Sequence, residues 1–318
     1  MSAAGQAPRV IYIHGAGNKP PAAELKGAWD DDLFQRDMGE QTQMVYYADL
    51  LHARPGAIGA DACTQQEAVA GLMVGTAMAA EAASPVDLSS LDERAVGRDL
   101  ELLAGLSPQG QQLGLRLMLS IATRSAAQTR AEPLAQLRPL PEPVRRLLLR
   151  ELLRRLVPDA DAYFFGSQRE PIRNRLRQTL DAADHPAIVV SHSLGTVIAY
   201  DVLSETGFTN RPVRQLVTLG SPLGYTEIQD VITRPLRVPA PVQLWVNFAD
   251  PRDIVTLDTT LADEFRGGPG VIDSRVDNRA PNNHAACGYL GAAQVRAVVT
   301  SGLVTPTAPN PDPSHRAT

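Results

Sequence analysis

Ser193 stands where a hydroxyl could be made into a nucleophile. The stretch Ile188-Val-Val-Ser-His-Ser-Leu-Gly-Thr196 passes from a β-branched strand pattern straight into a helical one, with Ser193 at the centre of the bend. A strand-to-helix turn that sharp forces its central residue into a strained backbone conformation and lifts the side chain clear of the sheet edge. The flanking positions must be small, because strand and helix backbones pass close by. Gly195 meets that need on one side and Ser191 on the other. A helix beginning at Leu194 would also turn its positive end toward a reacting carbonyl. A serine hydroxyl is barely ionised at neutral pH, so such a nucleophile needs a base, and the oxyanion formed on attack needs hydrogen-bond donors. A second stretch, Val10-Ile-Tyr-Ile-His-Gly-Ala-Gly17, ends a strand pattern in a glycine loop that can bend toward a ligand.

Ser191-His-Ser-Leu-Gly195 resembles the nucleophile elbow of α/β-hydrolase lipases and esterases, with serine in place of the first glycine of G-x-S-x-G. His14-Gly-Ala-Gly17 resembles the first oxyanion element of the same family. The resemblance implies an oxyanion hole made by the backbone N–H groups of Ala16 and Leu194. It also implies that the acid and the histidine follow the serine in that order. Two histidines lie beyond Ser193, and His315 is in a proline-rich tail, so His284 is the expected base. The acid comes from the turn after the strand pattern Val242–Phe248, where Asp250 and Asp253 both qualify. Asp253-Ile-Val resembles the family's Asp-x-Val and makes Asp253 the preferred acid. Asp250, placed before Pro251, suits a loop brace. Of the other histidines, His14 is expected to prop the oxyanion loop, His192 to project away from the serine's direction, and His52 and His185 to be solvated. Ser221, in Thr218-Leu-Gly-Ser-Pro222, has no elbow around it and is expected to be structural.

These residues need a scaffold that brings distant loops to one edge. Strand patterns occur at Arg9–Ile13, Met44–Ala48, Ala187–Ser191, Val213–Leu219 and Val242–Phe248, with a weaker one at Val271–Val276. Helical patterns sit between them, including Ile172, Leu176 and Leu180 at four-residue spacing before the third. That alternation predicts an α/β fold with a mostly parallel central sheet flanked by helices. From about Arg54 to Val157 only helical patterns appear, clearest at Val144–Leu156. The expected layout is a core over 1–53 and 158–304, a helical cap insertion over 54–157, and a disordered tail over 305–318.

Apolar residues make up 44% of the 318, and the net charge is -5, ordinary for a globular chain and unlike a nucleic-acid binder. No secretion signal is evident, and the most apolar run outside the strands, Ala68–Ala80, is too short to span a bilayer. Cys63 and Cys287 form no C-x-x-C pair and are expected to be two small reduced thiols, which suits a cytoplasmic protein. The expected function is hydrolysis of a small-molecule carboxylic ester, the leucine- and alanine-rich insertion hinting at an apolar acyl group. No metal, cofactor or nucleic acid is implied, and nothing in the sequence sets an oligomeric state. An amidase or thioesterase would use the same residues. A binding protein on the same scaffold is the non-enzymatic alternative, disfavoured because serine, acid and histidine are all present.

Overall fold

The computed structural model of the chain describes residues 8–56 and 157–304, apart from positions 184, 209–211, 252, 254, 257–258 and 279–282. The expected helical insertion and the tail fall almost wholly outside these residues, as does the run Ala68–Ala80.

Six strands form one sheet: β1 (Arg9–Ile13), β2 (Thr42–Val45), β3 (Ala187–His192), β4 (Val213–Leu219), β5 (Trp245–Ala249) and β6 (Val271–Arg275). Their order is β2-β1-β3-β4-β5-β6, and every neighbouring pair is parallel. Among the described residues seven helices accompany them: α1 (Ala22–Phe34), α2 (Pro158–Phe164), α3 (Arg169–Ala182), α4 (Leu194–Leu203), α5 (Thr226–Gln229), α6 (Ala286–Leu290) and α7 (Ala293–Leu303). The expected α/β architecture is what is found.

Side chains alternate across the strands with period two, so each face of the sheet has its own core. Val10 and Tyr12 of β1, with Ile188 and Val190 of β3, pack against Leu25, Trp29 and Leu33 of α1 and Val295 and Val299 of α7. Ile11, Ile13 and Val189 face the other way, toward Ile172, Leu176 and Leu180 of α3 and toward α4. A sheet covered on both faces explains the almost unbroken apolar runs of β1 and β3. Helix α4 is buried on all sides. Asp201 can lie inside it because Tyr163 Oη and Arg169 Nη2 each donate to its Oδ2 at 2.8 Å, while Thr233 N–H and Oγ1–H donate to Oδ1.

Two strands begin and end differently from their patterns. The second starts at Thr42 and stops at Val45, because Tyr47 turns the chain into a short 3-10 helix, Ala48–Leu50. The fifth starts at Trp245, although Val242 already bridges Val213 and Leu244 accepts the Leu216 N–H at 2.8 Å. The connection before α7 contains the short helix α6.

The strand order has one reversal. From β1 the chain moves outward to β2, then returns past β1 to β3 and continues in one direction to β6. The connections leaving β1 and β3 therefore go to opposite faces, α1 to one and α4 to the other. Their loops diverge at the carboxyl ends of the strands, the switch point at which α/β sheets hold their ligands.

Among the described residues no helix is long and apolar enough to cross a membrane. Cys287 is disulfide-bonded, contrary to the expected free thiol. The sequence holds one other cysteine, Cys63, outside the described residues. A bonded Cys287 gives no support to the expected cytoplasmic location.

Candidate active site

The bend between β3 and α4 has the strain its sequence demands. Ser193 has φ 53° and ψ −125°, a left-handed backbone that only one other non-glycine residue, Gln35, shares among the described residues. Holding a serine there costs about 1–3 kcal/mol and requires surroundings that fix it. Three contacts do so. The Ser193 N–H donates to the Leu219 carbonyl of β4 at 3.0 Å, its carbonyl accepts the Thr196 hydroxyl at 2.7 Å, and Thr196 Oγ1 meets Ser221 Oγ at 2.8 Å. Ser221 is thus a brace, as expected. Gly195 has no alternative: a Cβ there would lie 2.5 Å from the Ile13 carbonyl oxygen and 2.6 Å from that of His14.

The loop after β1 lies directly against this bend. A Cβ on Gly15 would come within 2.8 Å of the Ser193 Cβ. His14, fully buried, props the loop: its Nε2 accepts the Tyr47 N–H at 3.1 Å, so the ring proton sits on Nδ1 and is donated to the Gly15 carbonyl at 2.8 Å. Tyr47 stacks on the ring with centroids 4.0 Å apart and donates its hydroxyl to the His14 carbonyl. Ala16 is carried between the propped His14 and Gly17. Leu194 opens α4 immediately after the serine, where backbone N–H groups have no partner within the helix.

His284 and Asp253 arrive from the far end of the chain and complete an unbroken line of contacts. His284 Nε2 is 2.9 Å from Ser193 Oγ, and its Nδ1 is 2.8 Å from Asp253 Oδ2. A carboxylate only accepts, so the imidazole proton sits on Nδ1, and Nε2 is left to accept the serine hydroxyl. Asp253 is buried, and the His284 side chain is 16% exposed, reaching the switch point from a shielded base. Asp250, the other carboxylate considered, is turned elsewhere: its Oδ2 accepts the Asn278 N–H at 2.7 Å, and its carbonyl accepts the Asp253 N–H. It braces the loop that carries Asp253.

No protein-family model matches the chain, and no curated protein is significantly similar to it.

Tyr289, Val255 and Asn278 support the line of contacts and were not singled out in the sequence. Tyr289 is the nearest. Its hydroxyl accepts the Asp250 N–H at 3.0 Å and donates to Asp253 Oδ2 at 2.7 Å, the oxygen that also takes the His284 proton. Burial, and then the neighbouring Asp253, push the Tyr289 phenol well above its usual range, so it remains a donor. The remaining oxygen of Asp253 accepts the Val255 N–H at 2.8 Å. Asn278 fixes the histidine's loop by donating from Nδ2 to the Ala285 carbonyl at 2.8 Å. His192 lies against His284, with ring centroids 4.7 Å apart, and its Nε2 is 2.7 Å from the His284 carbonyl oxygen, holding that residue's backbone. Asp159 Oδ2 and His52 Nε2 meet at 3.1 Å beside Gly17, so His52 contacts a buried carboxylate and is not simply solvated. Among the described residues no group of three or more histidine, cysteine or acidic side chains is placed to hold a metal.

Proposed function

We propose that the protein is a serine hydrolase of the α/β-hydrolase lipase and esterase type, cleaving carboxylic esters through an acyl-enzyme on Ser193. The observation that carries this reading is the continuous relay from Asp253 to His284 to Ser193, with contacts of 2.8 and 2.9 Å, ending on a serine held at φ 53°. A structural serine needs neither the strain nor the imidazole.

In the proposed reaction Ser193 Oγ attacks the ester carbonyl carbon as its proton passes to His284 Nε2. The imidazolium is stabilised by Asp253, which stays ionised. The carbonyl oxygen becomes an oxyanion and is met by the N–H groups of Ala16 and Leu194. When the tetrahedral intermediate collapses, the C–O bond breaks and His284 returns its proton to the leaving alcohol. Water, deprotonated by the same nitrogen, attacks the acyl-enzyme, and a second collapse releases the carboxylic acid and restores Ser193. The leucine- and alanine-rich composition of the inserted segment supports an apolar acyl group.

Fluorophosphonate labelling tests the reading. The wild-type protein should be labelled at Ser193 and Ser193→Ala should not. Absent labelling of folded wild type, or equal labelling of the two, overturns it. A series of p-nitrophenyl esters of rising chain length, beside a matched anilide and thioester, identifies the scissile bond; preference for the anilide or thioester would reassign the substrate class.

A further inference from the structure

Donors for an oxyanion must be fixed before the charge develops, so whatever holds the Ala16 N–H matters as much as Ala16 itself. The His14 side of the loop is held by Tyr47. The other side is held by a single buried carboxylate. Asp159 Oδ2 accepts the Gly17 N–H at 2.7 Å and, on the same oxygen, meets His52 Nε2 at 3.1 Å. Asp159 is only 6% exposed, and its charge is felt at Tyr47, whose phenol is raised first by burial and then by Asp159.

The placement of these partners in the chain is telling. His52 lies on the stem leaving β2 and Asp159 on the stem that opens α2, 107 residues apart in the chain. The loop is stitched to the same stems twice more. Asn18 Nδ2 donates to the Arg54 carbonyl at 3.0 Å, and the Gly56 N–H donates to the Lys19 carbonyl at 2.7 Å. Residues 17–19 thus rest on both stems, with Tyr46 just past the end of β2 also donating its hydroxyl to the Lys19 carbonyl at 3.2 Å. Of these contacts, the Asp159 bond is the one adjacent to Ala16 and the only one carrying full charge.

We propose that Asp159 is a positioning residue for the oxyanion hole: its carboxylate, steadied by His52, fixes Gly17 and through it the direction of the Ala16 N–H. The proposal rests on the hydrolase reading above. A loop freed at Gly17 still binds substrate, because the rest of the site is unchanged, and it fails where the carbonyl oxygen turns anionic. The loss therefore belongs to kcat and not to KM.

The test compares wild type, Asp159→Ala, Asp159→Asn and His52→Ala on a p-nitrophenyl ester and on the corresponding thionoester, whose sulfur gains less from N–H donors. Asp159→Ala should lose about 10- to 100-fold in kcat on the ester with KM within about twofold, and less on the thionoester. Asp159→Asn keeps an acceptor for the Gly17 N–H and should recover most of the rate, with His52→Ala between the two. Amide hydrogen exchange across residues 15–19 should speed up in Asp159→Ala and stay near wild type in Asp159→Asn. Where wild type carries the fluorophosphonate label, unchanged kinetics in Asp159→Ala, equal losses on both substrates, or unchanged exchange overturns the role of Asp159 alone. A wild type that takes no label sinks the hydrolase reading itself, and the two failures are told apart by that one lane.

Discussion

Asp250 and Asp253 lie three positions apart on one turn, yet their carboxylates do different things. Asp253 receives the imidazole proton, the Tyr289 hydroxyl and the Val255 N–H, whereas Asp250 receives the Asn278 N–H. Asp253→Asn offers His284 an amide in place of a carboxylate and favours the wrong tautomer. It should lower kcat by up to about 10⁴-fold. Asp250→Asn should cost at most about tenfold, acting through the loop, with about 1–3 kcal/mol of stability lost where the Asn278 N–H loses its charged acceptor. Ester turnover and thermal melts of the two variants read this directly, and the reverse ranking would move the acid role to Asp250. The sequence could raise both aspartates because each follows a strand pattern, but spacing alone does not show which carboxylate faces the histidine. Tyr289 was not legible at all. In Ala286-Cys-Gly-Tyr-Leu290 a tyrosine reads as one more core residue, and only the fold reveals that its hydroxyl falls between the Asp250 backbone N–H and the Asp253 carboxylate.

At the level of elements, the site is set by how closely three backbones approach. Gly195 brings α4 against the carbonyls of β1, and Gly15 brings the loop against Ser193. The two glycines differ in what a methyl group would meet. At Gly195 it meets main-chain oxygens within a sheet covered on both faces, which cannot give way. Gly195→Ala should lose at least about 2 kcal/mol, seen as a lowered urea midpoint, or fail to fold. At Gly15 it meets the Ser193 Cβ at 2.8 Å, and the loop can retreat. Gly15→Ala should melt near wild type while losing most of its turnover. A Gly195→Ala protein as stable as wild type would show that the helix can shift off β1. The elements themselves were largely readable, since strands buried on both faces give continuous apolar runs. Their ends were not: Tyr46 and Tyr47 are as β-prone as their neighbours, and it is the prop under His14 that takes Tyr47 out of the sheet.

Across the whole molecule, four tyrosines share one electrostatic condition. Tyr12, Tyr47, Tyr163 and Tyr289 are buried, and each has its ionisation pushed above the usual value near 10, first by burial and then by a neighbouring carboxylate. In the unfolded chain these phenols ionise near pH 10, while in the folded chain they keep their protons. The unfolded state therefore binds fewer protons above that pH, and stability falls as pH rises. The contribution is fully present below about pH 10 and declines above it, by up to about 1.4 kcal/mol per pH unit for each tyrosine. Urea midpoints from pH 8 to 11 should be flat and then drop, and Tyr12→Phe should soften the slope; a flat profile to pH 11 would show that the phenols ionise in place. The pairing of β1 with β3 carries a different consequence, for the order in which the molecule is made. Two strands alone are not a stable unit, so β1, β2 and the loop bearing Ala16 leave the ribosome without the partner that would hold them. The interval from Val45 to Ala187 takes on the order of 10 s to synthesise. Through that wait the amino-terminal strands present an unpaired apolar edge, which makes the nascent chain a natural client for chaperones until β3 arrives to close the sheet.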